Sequence, residues 1–394
     1  MLPKQPFSFR INGLSISYNV IVSVFTNICF LFKFRLNIIL GIILMGFFNK
    51  IKKKRVFFMD KEQIRSYAKQ IGADLCGFAS MDRFEGAPKQ MDPRYIFPDA
   101  KTCIVLAFRI PRGYFRGVEE GTYFCNYTAM GYAGINEVYG PIVLRELCCF
   151  IEDQGYEAVP VPNISFRNNA PEFSDLRKET PPLVSIPVTE DKPAPDILID
   201  MRAAAYAAGL GEYGWSKVFL TPEFGPMQRF VALLTDMEIE PDPIFEGKIC
   251  DRCMSCARMC TGGAISTTES DHLYIAGHDV EFCKLDVHAC HTAYRGGIAE
   301  YNPFDVSGNG LGEEWSTAQK GFGLELYMRH NHALEGARGC MRECYIHLER
   351  KGVLTHKFKN EFRKRGVKPW SIDRSKRPDG NIVAAKDDDD KTLF

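Results

Sequence analysis

The stretch CDRCMSCARMC, residues 250–260, places Cys250, Cys253, Cys256 and Cys260 at C-x2-C-x2-C-x3-C. The thiolate of cysteine is both nucleophile and metal ligand, so such crowding can mean redox chemistry, metal binding or plain packing. Three thiolates this close on a tight loop can converge on three corners of one iron–sulfur cube. The fourth then heads a helix that points away, toward a second cube. The proline usual after the fourth cysteine is replaced by Thr261, which removes no ligand. Zinc is the rival reading, but zinc sites favour paired C-x2-C knuckles some distance apart. The spacing predicts [4Fe-4S] chemistry.

One such run is incomplete: the first cube lacks a fourth ligand and Cys260 lacks a cube. Cys283, Cys290, Cys340 and Cys344 supply what is missing, and the last two repeat the x3 step. Crossed ligation assigns Cys250, Cys253, Cys256 and Cys344 to one cluster. It assigns Cys260, Cys283, Cys290 and Cys340 to the other. His288 or His291 stands as an alternative to Cys283 or Cys290. The remaining cysteines carry no pattern. Cys76, Cys103, Cys125, Cys148 and Cys149 read as small buried hydrophobes, the last two pointing in different directions from one helix. Crowding at gaps of two and three residues is also unlike a disulfide framework. All eight histidines follow residue 271, which excludes a His-rich site in the first two-thirds.

A length of 394 residues allows one large or two modest domains with appendages. Forty-nine basic and 49 acidic residues cancel. That balance argues against a nucleic-acid partner, which would need a basic face to neutralise phosphates. The first 58 residues read differently from the rest. Residues 13–32 carry no charge and are long enough to span a bilayer; a shorter apolar run, 36–48, follows. The basic KIKKKR at 50–55 would hold the body on the cytoplasmic side. The other reading is an upstream extension, with Met59 as the true start of a cytoplasmic protein. No small-residue cleavage site or twin-arginine motif accompanies the apolar runs. The C-terminal KDDDDK reads as a solvated acidic tail.

The elements that must position the cysteines follow Met59. Residues 61–71 have helical periodicity, with Ile64, Tyr67, Ala68 and Ile71 on one face. Residues 73–79 and 102–108 are apolar runs that suit buried strands. Residues 138–155 read as a helix ending at a glycine, and YEAVPVP after it as a strand. The polar, proline-rich 163–195 reads as a long loop or lid. MRAAAYAAGLG reads as a helix closed by glycine, TPEFG as a turn and QRFVALLTD as a strand. The small residues of 203–214 allow close backbone approach, either to a ligand or between two elements. The expected division is 1–58 extension, 59–240 α/β (α+β) domain, 241–350 double-cluster domain and 351–394 C-terminal segment.

In combination, IGADLCGFA, FPDAKTCIVLAF, AAYAAGLGEYGWSKVFLTPEFG, the cysteine run and GCMRECYIHLERKG resemble the epoxyqueuosine reductase and reductive dehalogenase superfamily. The resemblance runs from about Met59 to about Pro378, and is strongest to double-cluster members of unknown substrate. It implies a nitroreductase-like α/β domain holding a corrinoid (cobalamin), then a bacterial ferredoxin-like domain with two [4Fe-4S] clusters. It implies an oxidoreductase that passes electrons from a reduced ferredoxin or flavodoxin through the clusters to the corrinoid, reducing a small or nucleoside-like substrate. Gly209, Gly211, Gly214 and Gly225 are the expected contacts to the corrinoid. Asp200, Tyr123 and Tyr127 are the expected catalytic groups, and Arg229 a substrate-side group. Asp196 and Asp200 precede the AGLG helix, but without the VD-x-x-P context of epoxyqueuosine reductases. The alternative is a two-cluster ferredoxin-type electron carrier with no catalytic cofactor of its own; the roughly 190 residues before the clusters exceed what a carrier needs.

Overall fold

The computed structural model describes residues 8–11, 14–17, 60–124, 126–163, 185–294, 298, 301 and 339–364. Residues 1–58 and 59–394 are separate units. In the first, β1 (Ser8–Ile11) and β2 (Leu14–Ser17) pair antiparallel, Phe9 opposite Ile16. The start of the charge-free run is thus a strand; residues 18–59 lie outside the described set. No helix among the described residues is long and apolar enough to cross a membrane.

The second unit opens with α1 (Lys61–Gln70). Asp60 caps it: its carboxylate accepts from the Gln63 amide at 2.8 Å, and the Gln63 side chain accepts from the Asp60 amide at 3.0 Å. This reciprocal box satisfies two backbone donors that a helix start leaves orphaned. Next come β3 (Leu75–Ser80), β4 (Thr102–Arg109) and the short α2 (Arg116–Glu120). A π-helix, Tyr127–Tyr139, then runs directly into α3 (Gly140–Glu152). The Gly140 amide donating to the Ile135 carbonyl is the five-residue reach of that wider helix. β5 (Ala158–Val161), α4 (Met201–Ala207), the hairpin β6 (Glu212–Tyr213) and β7 (Phe219–Leu220), and β8 (Gln228–Thr235) follow.

The sheet order is β3-β4-β8-β5 and every pairing is antiparallel. β4 and β8 are central and buried on both faces, which is why both read as continuous apolar runs. Their side chains alternate between two cores. Ile104, Leu106, Phe108, Val231 and Leu233 face α1 and α3. Cys103, Val105, Ala107, Phe230, Ala232 and Leu234 face the alanines of α4. Burying a side chain such as Leu106 contributes about 1.5–3 kcal/mol. Continuous apolar runs predict two-sided burial but carry no signal of strand direction.

The cysteine-bearing part follows β8. It contains α5 (Ser255–Arg258), the hairpin β9 (Ile265–Ile275) and β10 (His278–Leu285), α6 (Val287–Tyr294) and α7 (Cys340–Lys351). The hairpin turns on Ala276 and Gly277, both with positive φ. It lays Ile275 and Phe282 against the α4 core, and the Ala276 amide donates to the Arg83 carbonyl. α7 buries Met341, Tyr345, Ile346 and Leu348 in the opposite core. The cysteine-bearing elements are therefore packed onto both faces of the sheet.

Candidate functional site

The 249–260 loop is held from behind by the β6–β7 hairpin. The Glu212 carboxylate accepts from the amides of Ile249 at 2.7 Å and Cys250 at 2.5 Å. Arg252 and Met254 have φ of 56° and 60°, a left-handed alternation that curls the loop tightly. Cys256 sits on α5, and Cys260 just beyond it.

The curl brings thiols within reach of one another's charge. Burial pushes the Cys256 thiol up to about 11, and the neighbouring Cys250 and Cys253 add to the rise. The Cys344 thiol, reaching in from α7, is pushed well above its ordinary value by burial and then by Cys256, Cys250 and Cys253. These four form one neighbourhood. Cys283 is fully buried and pushed up to about 12, by burial first, then by Cys256, with Cys290 a smaller influence and Lys217 opposing. Cys250, Cys260 and Cys340 pack against a buried cluster of Trp215, Cys256, Ile265 and Cys283. His288 is exposed, and the His291 side chain and Cys125 lie outside the described residues. Thiolates buried this close would repel one another, so the thiols resist ionisation, and a cationic iron core would remove that penalty. The donor chemistry fits iron–sulfur clusters.

Asp251 ties the loop to α7. Its carboxylate accepts from Lys351 Nζ at 2.6 Å and lies 3.0 Å from His347 Nε2. The Lys351 hydrogen bond, opposed by burial and helped by His347, holds this carboxyl well below the usual range. One potential ligand atom each from Asp251, Cys253 and His347 lie within 4.8 Å of one another.

Beside α7 lies a cavity of about 320 Å³, whose walls include Leu198, Asp200, Arg202, Arg229, Phe230 and Met341. Arg229 donates to the Tyr127 hydroxyl at 2.7 Å, and its guanidinium lies 4.4 Å from the Tyr132 ring. Tyr127 in turn donates to Met341 Sδ at 3.5 Å. Burial raises the Tyr127 phenol and the Arg229 charge opposes that rise. Asp200 caps α4, accepting from the Arg202 amide at 2.8 Å and pairing with its guanidinium at 3.2 Å. Burial works against its charge, but Arg202 outweighs burial and the carboxyl stays below its usual range. Tyr123 is 54% exposed and does not line this cavity.

The four glycines make their close approaches to protein. A Cβ on Gly209 would sit 2.1 Å from the Pro243 carbonyl oxygen, and one on Gly211 2.0 Å from that of Leu220. A Cβ on Gly214 would lie 3.1 Å from the Leu220 side chain and the Val218 oxygen, and one on Gly225 3.1 Å from the Leu348 side chain. None of them lines the cavity. Its volume is at the lower end for small-ligand pockets. The described residues thus present a cavity beside α7, with the four glycines outside its lining. Cys76 and Cys103 are buried with thiols raised to about 12 by that burial, and Cys148 is buried while Cys149 is exposed.

Sequence reasoning missed Glu212, Trp215 and Met341. The first two lie in the quoted EYGWSK, so the signal was there, read as a ligand contact instead of a support for the cysteines.

No family model matches the chain. Epoxyqueuosine reductase of Bacillus cereus is 25% identical over 242 residues, 52% of this chain and 53% of that protein. The tetrachloroethene reductive dehalogenase of Sulfurospirillum multivorans is 42% identical over 67 residues, 16% of this chain and 13% of that protein. The chain spans about half the length of the epoxyqueuosine reductases it matches. Among solved structures, epoxyqueuosine reductase from Streptococcus thermophilus aligns with a TM-score of 0.40 at 17% identity, covering 80% of this chain and 69% of that one. A reductive dehalogenase described for B12-dependent dehalogenation aligns at 0.43 and 18%, covering 75% and 38%. An epoxyqueuosine reductase bound to an epoxyqueuosine-modified tRNA stem loop aligns at 0.39 and 17%, covering 71% and 68%. The chain is similar to both arms of the epoxyqueuosine reductase and reductive dehalogenase superfamily, the group its own motifs resemble.

Proposed function

We propose that this protein is an iron–sulfur reductase in which eight of the fourteen cysteines hold two [4Fe-4S] clusters. Cys250, Cys253, Cys256 and Cys344 form one ligand set; Cys260, Cys283, Cys290 and Cys340 form the other. The observation that carries this reading is the placement of α7. Cys344 on that helix shares the charge environment of Cys250, Cys253 and Cys256, while Met341, one turn earlier, lines the cavity. One helix joins an electron site to a substrate-sized space.

Clusters in such sites supply single electrons, at potentials the protein tunes through burial and hydrogen bonds. The chain's own residues bind and orient. Arg229 offers a fixed cation at the cavity wall for a polar or anionic substituent. Tyr127 behind it stays neutral through burial and holds a proton beside that cation. Asp200 is an ionised helix cap, an acceptor and not a donor at neutral pH. The electron source is a reduced ferredoxin or flavodoxin. The substrate is a small molecule or a nucleoside-like group. The name of the epoxyqueuosine reductases, about half of whose length the chain spans, keeps a modified nucleoside in that class despite the balanced charge. The resemblance adds a corrinoid as intermediate acceptor; the glycines lend it no support, and no step is assigned to it. A simple electron carrier has no use for a cavity beside its cluster helix.

The test is an oxygen-free preparation of the full chain, assayed for iron, sulfide and corrinoid. The expected content is about eight irons and eight sulfides per chain. Cys344→Ala should lower that to about four, leaving one cluster signal in electron paramagnetic resonance. Zinc without sulfide would overturn the reading.

A further inference from the structure

A second cavity, of about 290 Å³, lies at the end of β4. Met227 lines it, whereas the chain neighbours Pro226 and Gln228 line the first cavity, so the two are separate spaces. Its walls are largely apolar and aromatic, with Ile110, Phe224, Met227 and Tyr345 on one side. The segment after α7 supplies His356 and Phe358. That segment is clamped to the 221–225 turn: the Thr355 amide donates to the Pro222 carbonyl at 3.0 Å, and the His356 amide to that of Glu223 at 3.3 Å. The Arg112 guanidinium lies 3.6 Å over the Phe358 ring and is neutralised by Glu349 at 2.5 Å.

Two other charged residues in the walls are poorly matched. Arg109 faces Asp74, but that carboxylate is engaged by the Arg109 backbone amide at 2.8 Å, and its approach to the guanidinium is 3.5 Å, too long for a good hydrogen bond. Arg109 Nη1 lies 3.3 Å from His356 Nε2, and Nη2 has no hydrogen-bond partner among the described residues. The same guanidinium lies 5.9 Å from the Phe224 ring. Glu223, next to Phe224 in the chain, has a buried Oε2 with no hydrogen-bond partner. Buried acceptors are normally satisfied, so this one calls for a donor from outside the chain. The walls thus offer a cation, an anion and aromatic rings.

We propose that this second cavity is a binding site for an aromatic α-amino acid, its carboxylate on Arg109, its ammonium on Glu223 and its ring among Phe224, Tyr345 and Phe358. A ligand of single charge leaves either Arg109 or Glu223 unmatched. A ligand without a ring leaves the aromatic walls in water. The volume, at the lower end for small-ligand pockets, suits one ring with a short charged head. The inference is independent of the reductase reading, since no cysteine lines the cavity.

The experiment is isothermal titration calorimetry of the full chain with phenylalanine as the probe. Three controls each lack one element: 3-phenylpropionate the ammonium, phenethylamine the carboxylate and alanine the ring. Phenylalanine should bind, and each control should bind at least about tenfold more weakly, because a missing partner leaves a site group unpaired. Arg109→Gln should weaken phenylalanine by a similar factor and leave phenethylamine unchanged. Glu223→Gln should weaken phenylalanine and leave 3-phenylpropionate unchanged. Phe358→Ala, on the exposed segment, should weaken all ring-bearing ligands while the thermal melt stays native. No heat of binding at millimolar phenylalanine, a control that binds as tightly, or native affinity in both Arg109→Gln and Phe358→Ala overturns the inference.

Discussion

Asp200 shows how a single residue's role turns on its neighbours. Its place before the AGLG helix makes it one of three candidate catalytic groups, with Tyr123 and Tyr127. In the fold it is 17% exposed, caps α4 and pairs with Arg202. That partner holds the carboxyl below its ordinary value. A depressed folded value means stability that is present above the unfolded carboxyl value of about 3.9 and lost as pH falls through the folded one. Asp200→Asn keeps a capping oxygen but removes the charge. It should cost about 0.5–1 kcal/mol at pH 7, modest because Arg202 is partly solvated. The gap to the native protein in thermal melts should narrow below about pH 4. A gap that widens on acidification would show Asp200 to be neutral in the fold. Cys344 was more legible than Asp200. Its x3 step from Cys340 pointed to crossed ligation, and its thiol does lie in the electrostatic neighbourhood of Cys250, Cys253 and Cys256. Spacing encodes ligand geometry directly; a carboxylate's pKa is set by partners that spacing does not reveal.

At the scale of elements, α7 is tied to the body by buried charge. Arg363, Arg342, Glu119 and Glu343 are all below a tenth exposed. Arg363 donates to Glu119 at 2.6 Å and to Glu343 at 2.9 Å, and Arg342 lies 3.1 Å from Glu119. Two cations and two anions balance, and each needs the others because water is excluded. Glu119→Gln would leave a buried guanidinium undercompensated, at a cost of roughly 3–5 kcal/mol in denaturant unfolding. Since α7 carries Cys340 and Cys344, the same change should accelerate iron loss to a chelator. A cost below about 1 kcal/mol would mean that water reaches the quartet. The sequence placed α4, the TPEFG turn and the central strands, because periodicity and glycine act locally. It did not reveal this quartet, whose members come from α2, α7 and the segment beyond. Nor did it reveal the π-helix, where Gly131 and Gly134 blur the helical pattern, although the Ala276–Gly277 turn of the β9–β10 hairpin was there to be read.

For the second unit as a whole, the question is whether the sheet needs the proposed clusters or the proposed clusters need the sheet. β4 and β8 are buried on both faces and hydrogen-bonded along eight residue pairs, from Thr102–Thr235 to Arg109–Gln228. Their core residues are apolar and require no metal. The cysteine-bearing elements are different. The 249–260 loop, β10, α6 and α7 converge on thiols whose burial and mutual repulsion disfavour the charged form. With iron bound, those thiolates become cross-links between segments distant in sequence, and binding free energy becomes folding free energy. Without iron, the 250–260 loop is held by Glu212, the Trp215 amide, the Arg252–Glu281 pair and the Asp251 ties to α7. Local stability should therefore divide at that boundary. Removing iron anaerobically should speed amide exchange in the 250–260 loop, α6 and the first turn of α7 by an order of magnitude or more, as expected for a loss above about 1.4 kcal/mol. Exchange in β4 and β8 should stay within a factor of about two, less than 0.5 kcal/mol by the same conversion. Uniform acceleration across both regions would mean instead that the sheet and the clusters fold as one cooperative unit, and that the hairpin from Glu212 to Leu220 transmits cluster binding into the sheet.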